Sequence, residues 1–128
     1  MEYYFAPMEG VTGAEYRAVH HRHFPGVDRY YMPFITPTQD RVFTPRELRN
    51  IAPERNVGYC AVPQLLTKNA GDFNWAAGEL WAMGYDEVNL NLGCPSGTVT
   101  AKGKGAGMLA DLEGLDRFLD GIFSAARG

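Results

Sequence analysis

The feature that most constrains this chain is a repeat of alternation rather than of letters. Short segments rich in apolar, aromatic and β-branched residues open near residues 3, 29, 58 and 87, at intervals of 26, 29 and 29, and a helical pattern follows each. Strand–helix units of that size, repeated, imply parallel strands joined by right-handed crossovers. The expected strands are Tyr3–Met8, Arg29–Ile35, Gly58–Leu66 and Glu87–Leu92. Thr12 is expected to cap a helix running to about Arg22 and closed by Pro25-Gly26, and Thr44-Pro45 to open a short helix ending near Asn50. Gly71–Met83 carries Phe73, Ala76, Ala77, Leu80 and Trp81 at i, i+3, i+4, i+7 and i+8, the stripe of a helix packed on one side, with Gly84 ending it. Asp111 is expected to cap a last helix bearing Leu112, Leu115, Phe118, Leu119 and Ile122.

Two architectures fit such units, a doubly wound open sheet and a (β/α)8 barrel. In Val88-Asn89-Leu90-Asn91-Leu92 the apolar residues share one face and the two asparagines the other. Central strands of a doubly wound sheet tend to be apolar on both faces. In a barrel the apolar face meets the outer helices, and polar residues near the strand ends line a site. Gln64, in step with Cys60 and Val62, repeats the pattern on the third strand. The α/β fold expected is therefore the first four units of a TIM barrel, a half-barrel. A complete barrel takes about 250 residues, so the 128 residues of this chain correspond to half of one.

Composition excludes several functions. Hydrophobic residues make up 45% and aromatic residues 12%, too many for a disordered tail, and a net charge of −3 does not suit a basic nucleic-acid clamp. The apolar runs are too short to span a bilayer. Met1-Glu2-Tyr3-Tyr4-Phe5 has no basic region leading into an apolar one, so no signal peptide is expected. Cys60 and Cys94, without paired spacings, fit a reducing, cytoplasmic setting. Residues 1–64 balance seven arginines against seven acids, while residues 65–128 set five bases against eight acids. Arg41, Arg46, Arg49 and Arg55 form one locally basic stretch that could meet phosphates, though such a run is more often a solvated helix face. His20, His21 and His23 lack a third kind of ligand nearby, so no metal site is expected; with Arg17 and Arg22 they read as a solvated basic patch.

The chemistry is expected at four strand ends: residues 6–12, 34–36, 63–66 and 91–96. Cys94 follows the fourth strand directly, between Gly93 and Pro95. An unactivated thiol titrates at about 8.5 and is mostly protonated at neutral pH, so a lone cysteine there can donate a proton. A nucleophile would ask for a paired histidine, and none lies near a strand end; a small buried residue is an equal reading of the spacing. Cys60, inside the third strand, is expected to be such a buried residue. The run from Gly97 to Gly107 is not a Walker A loop: five residues separate Gly97 from Gly103, and Gly105 follows Lys104. Lys102 and Lys104 in so glycine-rich a loop suit either a flap over an anionic substrate or a plain flexible surface loop.

Taken together, Ala6-Pro7-Met8-Glu9-Gly10-Val11, Val62-Pro63-Gln64-Leu65 and Asn91-Leu92-Gly93-Cys94-Pro95, followed by Val99 and the loop 103–109, resemble the tRNA-dihydrouridine synthases. The resemblance covers essentially the whole chain. It implies the N-terminal half, residues 1–128, of an FMN-binding TIM barrel, with the C-terminal half-barrel and a helical tRNA-binding domain outside these residues. It further implies that Pro7, Met8 and Glu9 lie against the flavin, that Gln64 bonds the polar ring edge, that Asn91 orients the target uracil and that Cys94 is the general acid. Lys102 and Lys104 then belong with substrate binding. NADPH is the implied reductant of FMN, and tRNA the implied partner. The family's lysine, histidine and Gly-Arg contacts to the flavin phosphate lie on later strands, so the isolated chain is expected to bind flavin weakly and not to turn over. Two alternatives are a non-catalytic half-barrel that closes as a homodimer through its exposed edges, and an FMN oxidoreductase acting on a small molecule.

Overall fold

A computed structural model describes residues 1–126. The chain is an α/β structure with short parallel strands: β1 (Tyr4–Phe5), β2 (Arg29–Tyr31), β3 (Ala61–Val62), β4 (Gln64–Leu65) and β5 (Asn89–Leu90). The helices are α1 (Ala14–His23), α2 (Pro45–Ile51), α3 (Ala70–Ala82), α4 (Gly97–Thr100) and α5 (Leu112–Ala126), with 3₁₀ turns at Pro53–Arg55 and Gly105–Ala110. β2 pairs with β1 and β3, and β4 pairs with β5, all in parallel. A single bridge, Ile35 to Leu65, carries the second segment on to the fourth strand. Neighbours in space are thus neighbours in sequence, without the order reversal of a doubly wound sheet.

The ladders are shorter than the apolar patterns that predict them, and prolines are the reason. Proline has no N–H to give a ladder. Pro63 divides the third segment into β3 and β4, which pair with different neighbours, while its carbonyl accepts from Asn89 N–H at 2.9 Å. Pro33 similarly stands between β2 and the Ile35 bridge, and Pro7 follows β1. The core gathers Met32, Ile35 and Leu65 from the strand segments with Phe43, Ile51, Phe73, Ala76, Leu80, Met108, Phe118 and Ile122 from the helices and loops over them. Val88, Leu90 and Leu92 pack against it, as the alternation in that segment requires.

Capping accounts for the helix starts. Thr44 accepts from Glu47 N–H at 3.2 Å and the Glu47 carboxylate accepts from Thr44 N–H at 2.8 Å, a reciprocal capping box with Pro45 next in line. Asp111 accepts from Gly114 N–H at 2.9 Å as expected. Asn69, which the sequence reading passes over, caps α3 through Asp72 N–H at 2.9 Å. Gly84, at φ +102°, closes α3 in the left-handed region that a side chain disfavours.

Four expectations are corrected here. Gly13, not Thr12, precedes α1, and the Thr12 hydroxyl turns back to accept from Met8 N–H at 2.8 Å. Ala14 N–H instead donates to Asn50 Oδ1 at 3.2 Å. Arg17 is fully buried rather than part of a solvated patch. Trp81 and Leu112 are 70% and 71% exposed, because they stand off the stripes that bury Phe73, Ala76 and Leu80 on α3 and Phe118 and Ile122 on α5. The run 97–107 is not an irregular loop: α4 and the 3₁₀ turn fold it back on itself. No helix among the described residues is long and apolar enough to cross a membrane.

Candidate active site

Pairing β4 beside β5 in register sets Gln64 opposite Asn89, and the period of two puts Asn91 on the same face. Their side chains join into a ladder. Gln64 Nε2 donates to Asn89 Oδ1 at 2.8 Å, and Asn91 Nδ2 donates to Gln64 Oε1 at 2.9 Å. Gln64 is only 8% exposed, so this pairing also meets the requirement that a buried amide be hydrogen-bonded.

Asn91 then shapes the next loop. Its Oδ1 accepts from Gly93 N–H at 3.1 Å and from Cys94 N–H at 3.0 Å. An asparagine oxygen that captures backbone N–H groups two and three residues on fixes a turn. Cys94 is therefore held by its own backbone at the strand end, with a half-buried free thiol. The other side of its peptide is held as well, since Ala106 N–H donates to Cys94 O at 3.1 Å. Gly105 makes this approach possible: it sits at φ +55°, and a side-chain carbon there would stand 2.8 Å from Cys94 O and 3.0 Å from Val99 Cγ1. The glycine-rich segment is packed onto the cysteine loop.

Pro7, Met8 and Glu9 occupy a separate turn after β1. Met8 O accepts from Val11 N–H and Thr12 N–H, both at 3.0 Å, and the Met8 side chain is 61% exposed. Glu9 accepts from Arg46 Nη2 at 2.5 Å, tying the turn to α2. Among the described residues no hydrogen bond joins this turn to the Gln64–Asn91–Cys94 group. It is joined to Arg17, whose guanidinium donates to Thr12 O at 2.8 Å, Asn50 O at 2.9 Å and Asn56 Oδ1 at 2.8 Å. Burial draws this guanidinium below its ordinary value, and the phenols of Tyr59 and Tyr85 act against that. Burial likewise pushes Tyr85 up to about 12.

Asn89, which the alternation of its segment places on the same face as Asn91, completes the amide ladder. Lys68 stands beside Lys102 and Lys104, and no local pattern announces it. Cys60, expected inside, is exposed at the edge of the β2–β3 pairing, where its carbonyl accepts from Tyr30 N–H at 2.8 Å. Among the described residues no group of three His, Cys, Asp or Glu side chains could hold a metal ion.

The free bonding capacity of the ladder decides what fits. After the bonds above, Gln64 and Asn91 each retain one N–H, Gln64 keeps an acceptor lone pair and the Asn89 amide nitrogen is unused. Alternating donors and acceptors of this kind match the imide edge shared by a flavin ring and a uracil base. Fold and site together define a parallel α/β protein with an amide ladder and a positioned thiol at its strand ends. Residues 4–126 match the family model of dihydrouridine synthase (Dus), and the chain belongs to that family. The family comprises flavin-dependent oxidoreductases that act on tRNA.

Proposed function

We infer that this chain carries the acid-bearing part of an FMN-dependent, NADPH-driven site that reduces uridine in tRNA to 5,6-dihydrouridine, with Cys94 as proton donor. The observation that carries this reading is Asn91, which bonds Gln64 with its nitrogen and the Cys94 N–H with its oxygen. One side chain thereby fixes an imide-binding edge and an acid relative to each other. The consecutive strand order supports taking residues 1–128 as the first four units of a (β/α)8 barrel.

When bound and reduced, the flavin would supply the hydride for C6 of the uracil. What the protein's residues do is separate from that transfer. Gln64, Asn89 and Asn91 orient imide edges. The exposed Met8 side chain offers an apolar surface to a ring, and Pro7 and Glu9 shape the turn beneath it. As the C6–H bond forms, the C5=C6 pair becomes enolate charge over C5 and O4. The Cys94 S–H bond then breaks toward C5 and leaves a thiolate that solvent reprotonates. The base must leave its stack to reach a strand-end site.

The test is spectroscopic. In a longer protein that carries residues 1–128 within a complete barrel, under anaerobic conditions, NADPH is expected to bleach the FMN band, and unmodified tRNA to restore it. A band restored by a free pyrimidine or an enone but not by tRNA would instead favour a small-molecule oxidoreductase. Gln64→Leu strips both neighbouring amides of a partner and is expected to weaken FMN binding at least tenfold; unchanged affinity would remove Gln64 from the flavin site.

A further inference from the structure

The chain has three lysines, Lys68, Lys102 and Lys104, and the fold brings all of them together although 36 positions separate the first from the last. Lys68 follows β4, while Lys102 and Lys104 flank Gly103 in the segment after α4. A side-chain carbon on Gly103 would stand 3.6 Å from Lys68 Nζ. Among the described residues none of the three has a carboxylate within salt-bridge distance, whereas Arg29, Arg46, Arg55 and Arg117 all do. Lys104 is held below its ordinary value by burial first, then by Lys102 and Lys68, with only Asp72 opposing. A cleft of about 200 Å³ is lined by Lys68, Gly103, Asp111 and Gly114, with Lys102 and Lys104 flanking Gly103 in sequence rather than lining it. The Asp111 carboxylate there caps α5 through Gly114 N–H. Gathered ammonium groups repel one another, and a bound anion relieves that repulsion.

We propose that Lys68, Lys102 and Lys104 form a phosphate site for the RNA backbone next to the target uridine. The placement selects the ligand: Lys104 adjoins Gly105, which packs on Cys94, and Ala106 bonds the Cys94 carbonyl. An anion held there lies alongside the loop that presents the proton donor. Lysine, a compact charge on a flexible stem, suits backbone phosphates that position a strand without reading its sequence. The inference rests on the tRNA reading above.

Its test is the salt dependence of tRNA binding by a longer protein that carries residues 1–128 within a complete barrel, and by its K68Q/K102Q/K104Q variant. Neutralising one phosphate contact is expected to lower affinity about tenfold at ~0.15 M salt and to make the slope of log K against log salt shallower by about 1. Lys68→Gln alone is expected to show the same sign at smaller size. Wild-type protein that binds tRNA and forms dihydrouridine, beside a triple variant with the same affinity and slope, would overturn the lysine site and leave the enzymatic reading standing. Wild-type protein without affinity for tRNA would overturn both. Weakened FMN or NADPH binding in the variant, with tRNA affinity retained, would place the phosphate on a cofactor and also overturn the proposal.

Discussion

In a longer protein that carries residues 1–128 within a complete barrel, replacing Cys94 with alanine is expected to keep FMN bound, with its visible spectrum unchanged, while lowering dihydrouridine formation by about 10²–10⁴-fold. The size follows from what a positioned acid contributes when charge builds on carbon. The selectivity follows from how Cys94 is held. Its N–H is taken by Asn91 Oδ1 and its carbonyl by Ala106 N–H, so the loop's bonds run through the backbone and survive loss of the thiol. Cys94→Ser retains the shape but substitutes a much weaker acid, and it should fall nearer to alanine than to the parent. Product formed by the alanine variant at the parental rate would assign the proton to another donor.

Arg17→Met is expected to destabilise the fold by about 3–5 kcal/mol, read as a lowered denaturant midpoint. The buried guanidinium bonds three segments at once: the turn after β1 through Thr12 O, the end of α2 through Asn50 O, and the approach to β3 through Asn56 Oδ1. No carboxylate among the described residues pairs with it, and its Nε has no partner. Methionine keeps the apolar stem and removes a costly buried charge, which works in its favour. Against that, three hydrogen bonds to a charged donor are lost at roughly 1.5–3 kcal/mol each, and this loss is the larger even though Asn50 O keeps Asn56 Nδ2 and Asn56 Oδ1 keeps the Tyr59 hydroxyl as donors. Because Thr12 also holds Met8, the same substitution is expected to weaken FMN binding. An unchanged midpoint would show that these segments hold without the guanidinium.

What could be read from the sequence was whatever is decided locally. Thr44-Pro45 marks the start of its helix locally, and the structure confirms it, adding Glu47 to complete a capping box. The alternation in residues 88–92 assigned both faces of β5 correctly, including the asparagine face that carries the site. What escaped was decided by distant partners. Thr12 had the chemistry of a cap, but its hydroxyl was taken by Met8, and Asn50 served α1 from 36 positions away. Arg17 looked like its charged neighbours because Asn50 and Asn56, the partners that make its burial tolerable, lie 33 and 39 positions further on. Pro63 was visible in the sequence; that it hands the third segment from one neighbour to the next depends on pairing that no local pattern encodes.

The most direct test of the central claim is mass spectrometry of the nucleosides of unmodified tRNA incubated with FMN, NADPH and a longer protein that carries residues 1–128 within a complete barrel. The account predicts a uridine heavier by two hydrogen atoms, formed in step with NADPH oxidation and dependent on Cys94. NADPH consumed with no dihydrouridine in the tRNA, in protein that retains its flavin, would contradict it.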